Sequence, residues 1–370
     1  MLMTLDFSKA FLYGDMMREV FIELPDEDPR KHSYDCVGKL IKSMYGLRDA
    51  PQIWQKVVRS MLEARGFTAL VGTQCTYVNK ELNILVVAHV DDFLVLGTES
   101  QLNYFLQDLQ SEYECSGQVL GYGEKCVQVL KFLGRTITLT ADGIEWEGDR
   151  RHVGSFMEKL SEEFGPADKE CEWRGAPTPG VKATEVPERE PLSAQKAKAY
   201  RGLAALANFM AQDRADISFA AKEVSKTMSA PAECDLVAMK RLGRYLSTHP
   251  RCVNMYGWQG VPTTIDAYCD SDWGGDLVTR RSTSGGCVFR GQHLLLHWAR
   301  TQQVVSLSSA EAELHSLSKC ASEGLAAAIM ATEFGTTMKL RLHTDASAAK
   351  GIIMRLGCGK VKHLDVKSPC

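Results

Sequence analysis

Leu85-Val86-Val87-Ala88-His89-Val90-Asp91-Asp92-Phe93-Leu94-Val95-Leu96 sets two adjacent carboxylates inside a run otherwise built mostly of Val, Leu, Ala and Phe. The apolar, β-branched stretches on either side predict two strands, which leaves the aspartates at the turn between them. Like charges a few ångströms apart repel, and burial raises carboxylate pKa values, so such a pair is costly. A divalent cation offsets that cost best, because hard oxygen ligands suit Mg²⁺. An exposed hairpin turn without a ligand fits the same residues, and the stretch alone leaves both readings open.

At 370 residues the chain has room for two or three domains with cores of their own. Hydrophobic residues at 45% and charged residues at 24% give the balance of an ordinary globular protein. A formal charge of −3 argues against a generic nucleic-acid glue. It leaves room for an enzyme whose basic residues line a groove while carboxylates gather at metals. The C-terminal stretch has such a local bias: Lys339, Arg341, Lys350, Arg355, Lys360, Lys362 and Lys367 meet only Asp345 and Asp365. A solvated basic face and a phosphate track both fit it. The cysteines are scattered singly with no Cys-x-x-Cys, which excludes a zinc knuckle and predicts reduced thiols in an intracellular protein. No run is apolar enough to span a membrane, and Asp6 interrupts the start before any signal-peptide pattern develops.

Upstream, Thr4-Leu5-Asp6-Phe7-Ser8-Lys9-Ala10-Phe11-Leu12 reads as a strand end passing into a turn or helix. An Asp there serves as a helix cap or as a metal ligand. Pro51 stands near the start of a helix marked by Trp54, Val57, Val58, Met61 and Leu62, where proline is favoured. Residues 166–192 hold Pro166, Pro177, Pro179, Pro187 and Pro191 among charges and predict a linker or extended connection. Helical periodicity resumes at Ala194, with Leu203, Leu206 and Met210 on one stripe, and again over Leu236 to Leu246.

A second acidic pattern begins near Val261. Thr264-Ile265-Asp266-Ala267-Tyr268-Cys269-Asp270 predicts a strand ending in acids with Asp272 and Asp276, and two more strands follow at Gly286–Phe289 and Leu294–Trp298. Ser308-Ser309-Ala310-Glu311 is a capping box opening a helix. On it Glu313 shares a stripe with Leu317 and Cys320, and a carboxylate on a buried stripe is expensive without a partner. Lys339-Leu340-Arg341-Leu342-His343-Thr344-Asp345 predicts a further strand ending in Asp. Asp272, Asp276 and Glu311 are nearby acids expected to be structural or solvated.

Asp6 with Phe7, the Tyr45-Gly46-Leu47-Arg48-Asp49-Ala50-Pro51-Gln52-Ile53-Trp54 block and the Val90-Asp91-Asp92 turn stand in the order seen in reverse transcriptases. Their wording resembles the polymerase of copia-type long-terminal-repeat retrotransposons. The likeness continues through Leu130–Gly134, Ala199–Arg201, Arg214–Ala220 and Lys240–Leu246. Tyr268-Cys269-Asp270-Ser271-Asp272-Trp273, Arg280-Arg281-Ser282-Thr283-Ser284-Gly285, Leu307–Glu313 and Lys362-His363-Leu364-Asp365-Val366 resemble the ribonuclease H of the same elements.

The resemblance implies an α/β (α+β) chain. A reverse-transcriptase palm over 1–150 would precede thumb or connection helices over 151–260 and a ribonuclease H-like mixed sheet over 261–370. It implies RNA-directed DNA synthesis with Asp6 and Asp91 jointly holding two Mg²⁺ ions and Asp92 supporting, Mn²⁺ being a substitute metal. Asp270, Glu313, Asp345 and Asp365 would hold a second pair for cleaving RNA in an RNA–DNA hybrid. Phe11 falls where an aromatic residue blocks a ribose 2′-hydroxyl, although core packing explains it equally, and Tyr45, Gly46 and Pro51 would line the template. The implied partners are an RNA template, a DNA primer, deoxynucleoside triphosphates and another Pol or Gag chain, without a membrane. The implied setting is a cytoplasmic virus-like particle or the nucleus. His89 replaces the usual Tyr, and Asp49 and Gln52 replace the commoner Gln and Arg of their block. The family carries fingers before the Asp6 motif and a helix beyond Cys370, so a fragment is expected in which the Asp6 strand lacks neighbours. Two alternatives remain: a ribonuclease H beside a decayed palm, and a non-catalytic nucleic-acid-binding protein.

Overall fold

The computed structural model describes residues 1–33, 36–73, 75–165, 173–181 and 184–354. The chain divides into two compact units, Met1–Thr140 and Ala141–Cys370.

In the first unit the order is β1 (Leu2–Phe7), a 3₁₀ turn at Ala10–Tyr13, β2 (Phe21–Ile22), α1 (Arg30–Ser33), β3 (Gly38–Lys39) and α2 (Ala50–Glu63). It continues with β4 (Thr68–Ala69), β5 (Thr76–Asn79), β6 (Ile84–His89), β7 (Asp92–Leu96), α3 (Glu99–Gln110), β8 (Cys115–Leu120), β9 (Val129–Phe132) and β10 (Arg135–Leu139). One sheet runs β4-β5-β6-β7-β1-β8. The Asp6 strand therefore does not lack neighbours: β1 pairs antiparallel with β7 on one side and β8 on the other.

Alternation along β1 sends Met3, Leu5 and Phe7 into the core and leaves Asp6 on the open face. Helix α2 has its proline in the first turn and lays Trp54, Val58, Met61 and Leu62 against that core. Phe7 meets Trp54 at 5.5 Å and Phe93 at 4.8 Å between ring centroids. Each such buried aromatic contributes roughly 1.5–3 kcal/mol, so the strands carrying Asp6 and Asp92 are fixed from behind.

The second unit holds β11 (Gly143–Gly148), α4 (Arg151–Phe164), α5 (Ala194–Met210), α6 (Ser218–Lys226), α7 (Asp235–Thr248) and β12 (Val253–Gly257). After them come β13 (Thr264–Asp272), β14 (Thr283–Arg290), β15 (His293–Thr301), α8 (Ser309–Glu333), β16 (Lys339–His343) and α9 (Ser347–Ile353). Sequence reading ended the first domain at 150, but β11 pairs with β12, Ile144 opposite Tyr256, and belongs with the second unit. The division falls between residues 140 and 141, and helices and following sheet share one unit.

The helices bury Phe156, Leu160, Tyr200, Leu203, Leu242 and Leu246 together. Tyr200 donates its hydroxyl to the Val224 carbonyl at 2.8 Å, which satisfies the one polar atom of a fully buried ring. The described part of the Pro-rich stretch is extended and tied down: Ala176 N–H reaches Arg244 O at 3.1 Å and Arg241 donates to Thr178 O at 2.8 Å. The second sheet runs β15-β14-β13-β16, antiparallel except that β16 lies parallel to β13. That parallel pairing needs a crossover, and α8 supplies it. It packs Leu317, Cys320, Ala327 and Ala331 on Ile265, Ala267, Cys269 and Val288. Gly324 permits the close approach, since a Cβ there would sit 2.5 Å from Leu340 Cδ1. The nine described cysteines are free thiols, and no helix among the described residues is long and apolar enough to cross a membrane.

Candidate active sites

The first acidic group is built on the β6–β7 hairpin. His89 and Asp92 close it, so Val90 and Asp91 form the turn and Asp92 opens β7. Asp92 also stands directly opposite Asp6 on β1. Cross-strand neighbours on one face have Cβ atoms about 4.5–5.5 Å apart. Sequence reading made Asp91 the joint partner of Asp6 and Asp92 the support; the register puts Asp92 beside Asp6 and Asp91 at the turn tip. Burial, then Asp91 and Asp6, push the Asp92 carboxyl above its ordinary range, against a smaller pull from His89.

Val90 has φ of 56°, a conformation a β-branched residue adopts only under strain of about 1–3 kcal/mol. Its carbonyl accepts a 2.6 Å hydrogen bond from Trp54 Nε1, and Trp54 is itself buried. The strained turn is thus held by the helix beneath it. Sequence reading used Trp54 as a marker of the helix and of its block and missed this bond, for which a one-dimensional pattern has no signal.

Phe11 and Tyr45 touch, with ring centroids 4.6 Å apart. Gly46 has φ of +93°, which favours glycine, while nothing lies within 4 Å of where its Cβ would be, so no close approach adds to that preference. The unusual Asp49 is neutralised by Arg18, which donates Nε and a second nitrogen at 2.8 and 3.2 Å.

The second acidic group draws on three elements. Asp270 lies near the end of β13, Glu313 on α8 and Asp345 just past β16, and one ligand oxygen from each lies within 4.8 Å of the others. Among the described residues no other set of three acids, histidines or cysteines converges so closely, and Asp6, Asp91 and Asp92 do not. Glu313 is 9% exposed, and its Oε1 accepts from Ser271 N at 3.1 Å and Ser271 Oγ at 2.9 Å. Its Oε2 is buried without a hydrogen-bond partner. Burial first, and Asp270 and Asp345 after it, raise the Glu313 carboxyl despite the Ser271 bonds. Ser316 donates to the Asp270 carbonyl at 2.8 Å and locks α8 to β13 at the same point. Neither serine was singled out from sequence, though both sit beside acids that were. Asp365 lies outside the described residues.

The neighbouring acids each have a structural partner, although Asp272 is exposed. Asp272 accepts from the Thr283 backbone N–H, Asp276 pairs with Lys226 at 2.9 Å, and Glu311 accepts from Leu307 N at 2.7 Å. At the second group an orphaned buried carboxylate oxygen, a raised carboxyl and an all-oxygen donor set fit a hard divalent cation; at the first the donors are also all oxygen, but they do not converge as closely.

Residues 1–164 match the reverse transcriptase (RNA-dependent DNA polymerase) family. The retrovirus-related Pol polyprotein from transposon RE1 of Arabidopsis thaliana is 29% identical over 341 residues, covering 90% of this chain and 22% of that protein. That from transposon TNT 1-94 of Nicotiana tabacum is 24% identical over 372 residues, covering 98% of this chain and 27% of its own length. A solved foamy virus protease–reverse transcriptase aligns at 13% identity and a TM-score of 0.23, over 92% of this chain and 50% of that one. This chain thus spans about a quarter or less of the two polyproteins. Residues 1–164 thus match the reverse transcriptase family, and nearly the whole chain is similar to part of retrovirus-related Pol polyproteins of plant transposons.

Proposed function

We propose that this segment extends a DNA primer on an RNA template at Asp6, Asp91 and Asp92, and cuts the RNA strand of an RNA–DNA hybrid at Asp270, Glu313 and Asp345. The convergence of those last three carries the reading. Carboxylates from three separate elements pool repulsive charge, and one is partly orphaned in a buried setting, an arrangement that a shared cation stabilises. The family match over 1–164 supports the polymerase half.

Mg²⁺, with Mn²⁺ as substitute, would be held by these carboxylates and by Asp365, and supplies charge neutralisation and a lowered pKa of the attacking hydroxyl or water when bound. The chain's own contribution is positional. Register presents Asp6 and Asp92 on one face, and Trp54 fixes the turn that carries Asp91. Ser271 orients Glu313 through one oxygen and leaves the other for the cluster. Phe11, backed by Tyr45, excludes a ribose 2′-hydroxyl and selects deoxynucleoside triphosphates, while Tyr45 and Gly46 line the template. The setting is intracellular, in a virus-like particle or the nucleus, with another Pol or Gag chain as partner.

The test is the purified chain with Mg²⁺, a primed RNA template and a labelled hybrid. Asp91→Asn should abolish extension and spare hybrid cleavage; Asp270→Asn should do the reverse. One observation favours a second reading, hybrid cleavage alone: the second acidic group closes to 4.8 Å and the first does not. Cleavage without extension would support it, and salt-sensitive binding with neither reaction would indicate a non-catalytic binder.

A further inference from the structure

We propose that Gln302 is a positioning residue for hybrid cleavage: it clasps the first turn of α8 to β14 and so sets where Glu313 lies. The proposal rests on the nuclease reading above and deepens it. Gln302 follows directly after β15 and is buried, at 8% exposed, so its role is not contact with substrate. A buried amide is costly unless each of its polar atoms finds a partner.

Here every one of them does. Nε2 donates to the Ala312 carbonyl at 2.8 Å and to Ser284 Oγ at 3.0 Å, and Oε1 accepts from Ser306 Oγ at 3.1 Å. A carbonyl can only accept, so the Ala312 bond fixes which end of the amide is the donor. The backbone N–H adds a 2.7 Å bond to the Ser282 carbonyl, which anchors the residue just ahead of β14. Ser306 is buried too, and its carbonyl accepts from Trp273 Nε1 at 3.0 Å. The amide is thus held rigidly before it reaches α8.

Register shows why these partners matter. Ser284 stands directly opposite Ser271 on β13, and Ser271 holds Glu313 Oε1 through both its N–H and its hydroxyl. Ala312 is the residue before Glu313 on α8. Gln302 therefore joins the strand pair that receives the Glu313 carboxylate to the backbone from which that carboxylate hangs. Ser316 fixes the same helix to β13 three residues further on, through the Asp270 carbonyl. Between these two anchors Glu313 Oε2 stays buried and unpartnered, free for the group it forms with Asp270 and Asp345. Misplacement by about 1 Å is enough to cost such a constellation most of its rate.

The test compares Gln302→Met and Gln302→Glu with the parent in the intact chain, beside Leu246→Ala, which opens the helical core away from the site. It reads kcat and KM on a labelled RNA–DNA hybrid, and Mn²⁺ affinity by electron paramagnetic resonance. Gln302→Met should lower kcat and weaken Mn²⁺ binding about 10–100-fold at unchanged KM, while Leu246→Ala, measured below its unfolding temperature, should match the parent in both. Gln302→Glu should outperform Gln302→Met at low pH, where a protonated carboxyl can still donate to Ala312, and lose that advantage as pH rises. Parental kcat and Mn²⁺ affinity in Gln302→Met, or losses equalled by Leu246→Ala, would overturn the proposal. A parent that never cleaves would sink the nuclease reading by itself; Mn²⁺ affinity then decides for Gln302, weakened binding supporting its role and unchanged binding overturning it.

Discussion

Trp54 donates its indole N–H to the Val90 carbonyl across 2.6 Å, joining a buried helix side chain to the strained residue that precedes Asp91. The turn of the first acidic group is therefore imposed by packing and not by its own sequence. Trp54→Phe keeps the ring and removes the bond. It should cost about 1–3 kcal/mol in urea unfolding, and should lower primer extension more than hybrid cleavage. Val90→Gly in that background should recover part of the stability, because glycine accepts a positive φ without strain.

Glu313→Gln should abolish hybrid cleavage yet raise stability in EDTA. The folded carboxyl titrates above its ordinary range, so the native state prefers it protonated. Stability without metal then falls as pH rises through the unfolded value toward the folded one, and the glutamine variant should lack that fall. Thermal unfolding against pH, with and without Mg²⁺, reads both effects.

Asp266 gives the opposite sign. Arg341, then His343 and Thr264, hold its carboxyl at about 2 despite burial. Its contribution to stability is present above the unfolded value of 3.8 and disappears as pH falls toward 2. Asp266→Asn should be less stable than the parent at neutral pH and should converge with it in acid, as followed by circular dichroism.

Phe11→Ala should relax sugar selection. Removing the ring that rests on Tyr45 opens space beside it, and ribonucleotide use should rise about tenfold relative to deoxynucleotides, equivalent to about 1.4 kcal/mol. Single-nucleotide incorporation with each substrate measures it. An unchanged ratio would assign Phe11 to packing alone.

Local patterns in the chain were legible wherever one element sufficed. The apolar runs around Asp91 became β6 and β7, Pro51 opened α2, and the stripe of Glu313, Leu317 and Cys320 is buried on α8. What depended on pairing was not. Period-two alternation shows which face Asp6 takes but not that Asp92, not Asp91, stands opposite. Ser308 caps Glu311 as its spacing suggested, yet the returning carboxylate lands on Leu307 N, because its reach is set in three dimensions. Arg18 lies 31 positions from Asp49, too far for any helical or strand period to link them.

Titration of Mn²⁺ into the intact chain, followed by electron paramagnetic resonance, tests the central claim of two separate metal-holding carboxylate groups most directly. Two classes of bound ion are expected, with Asp91→Asn removing one and Asp270→Asn the other. The same number of ions at the same affinity in the parent and both variants would contradict it.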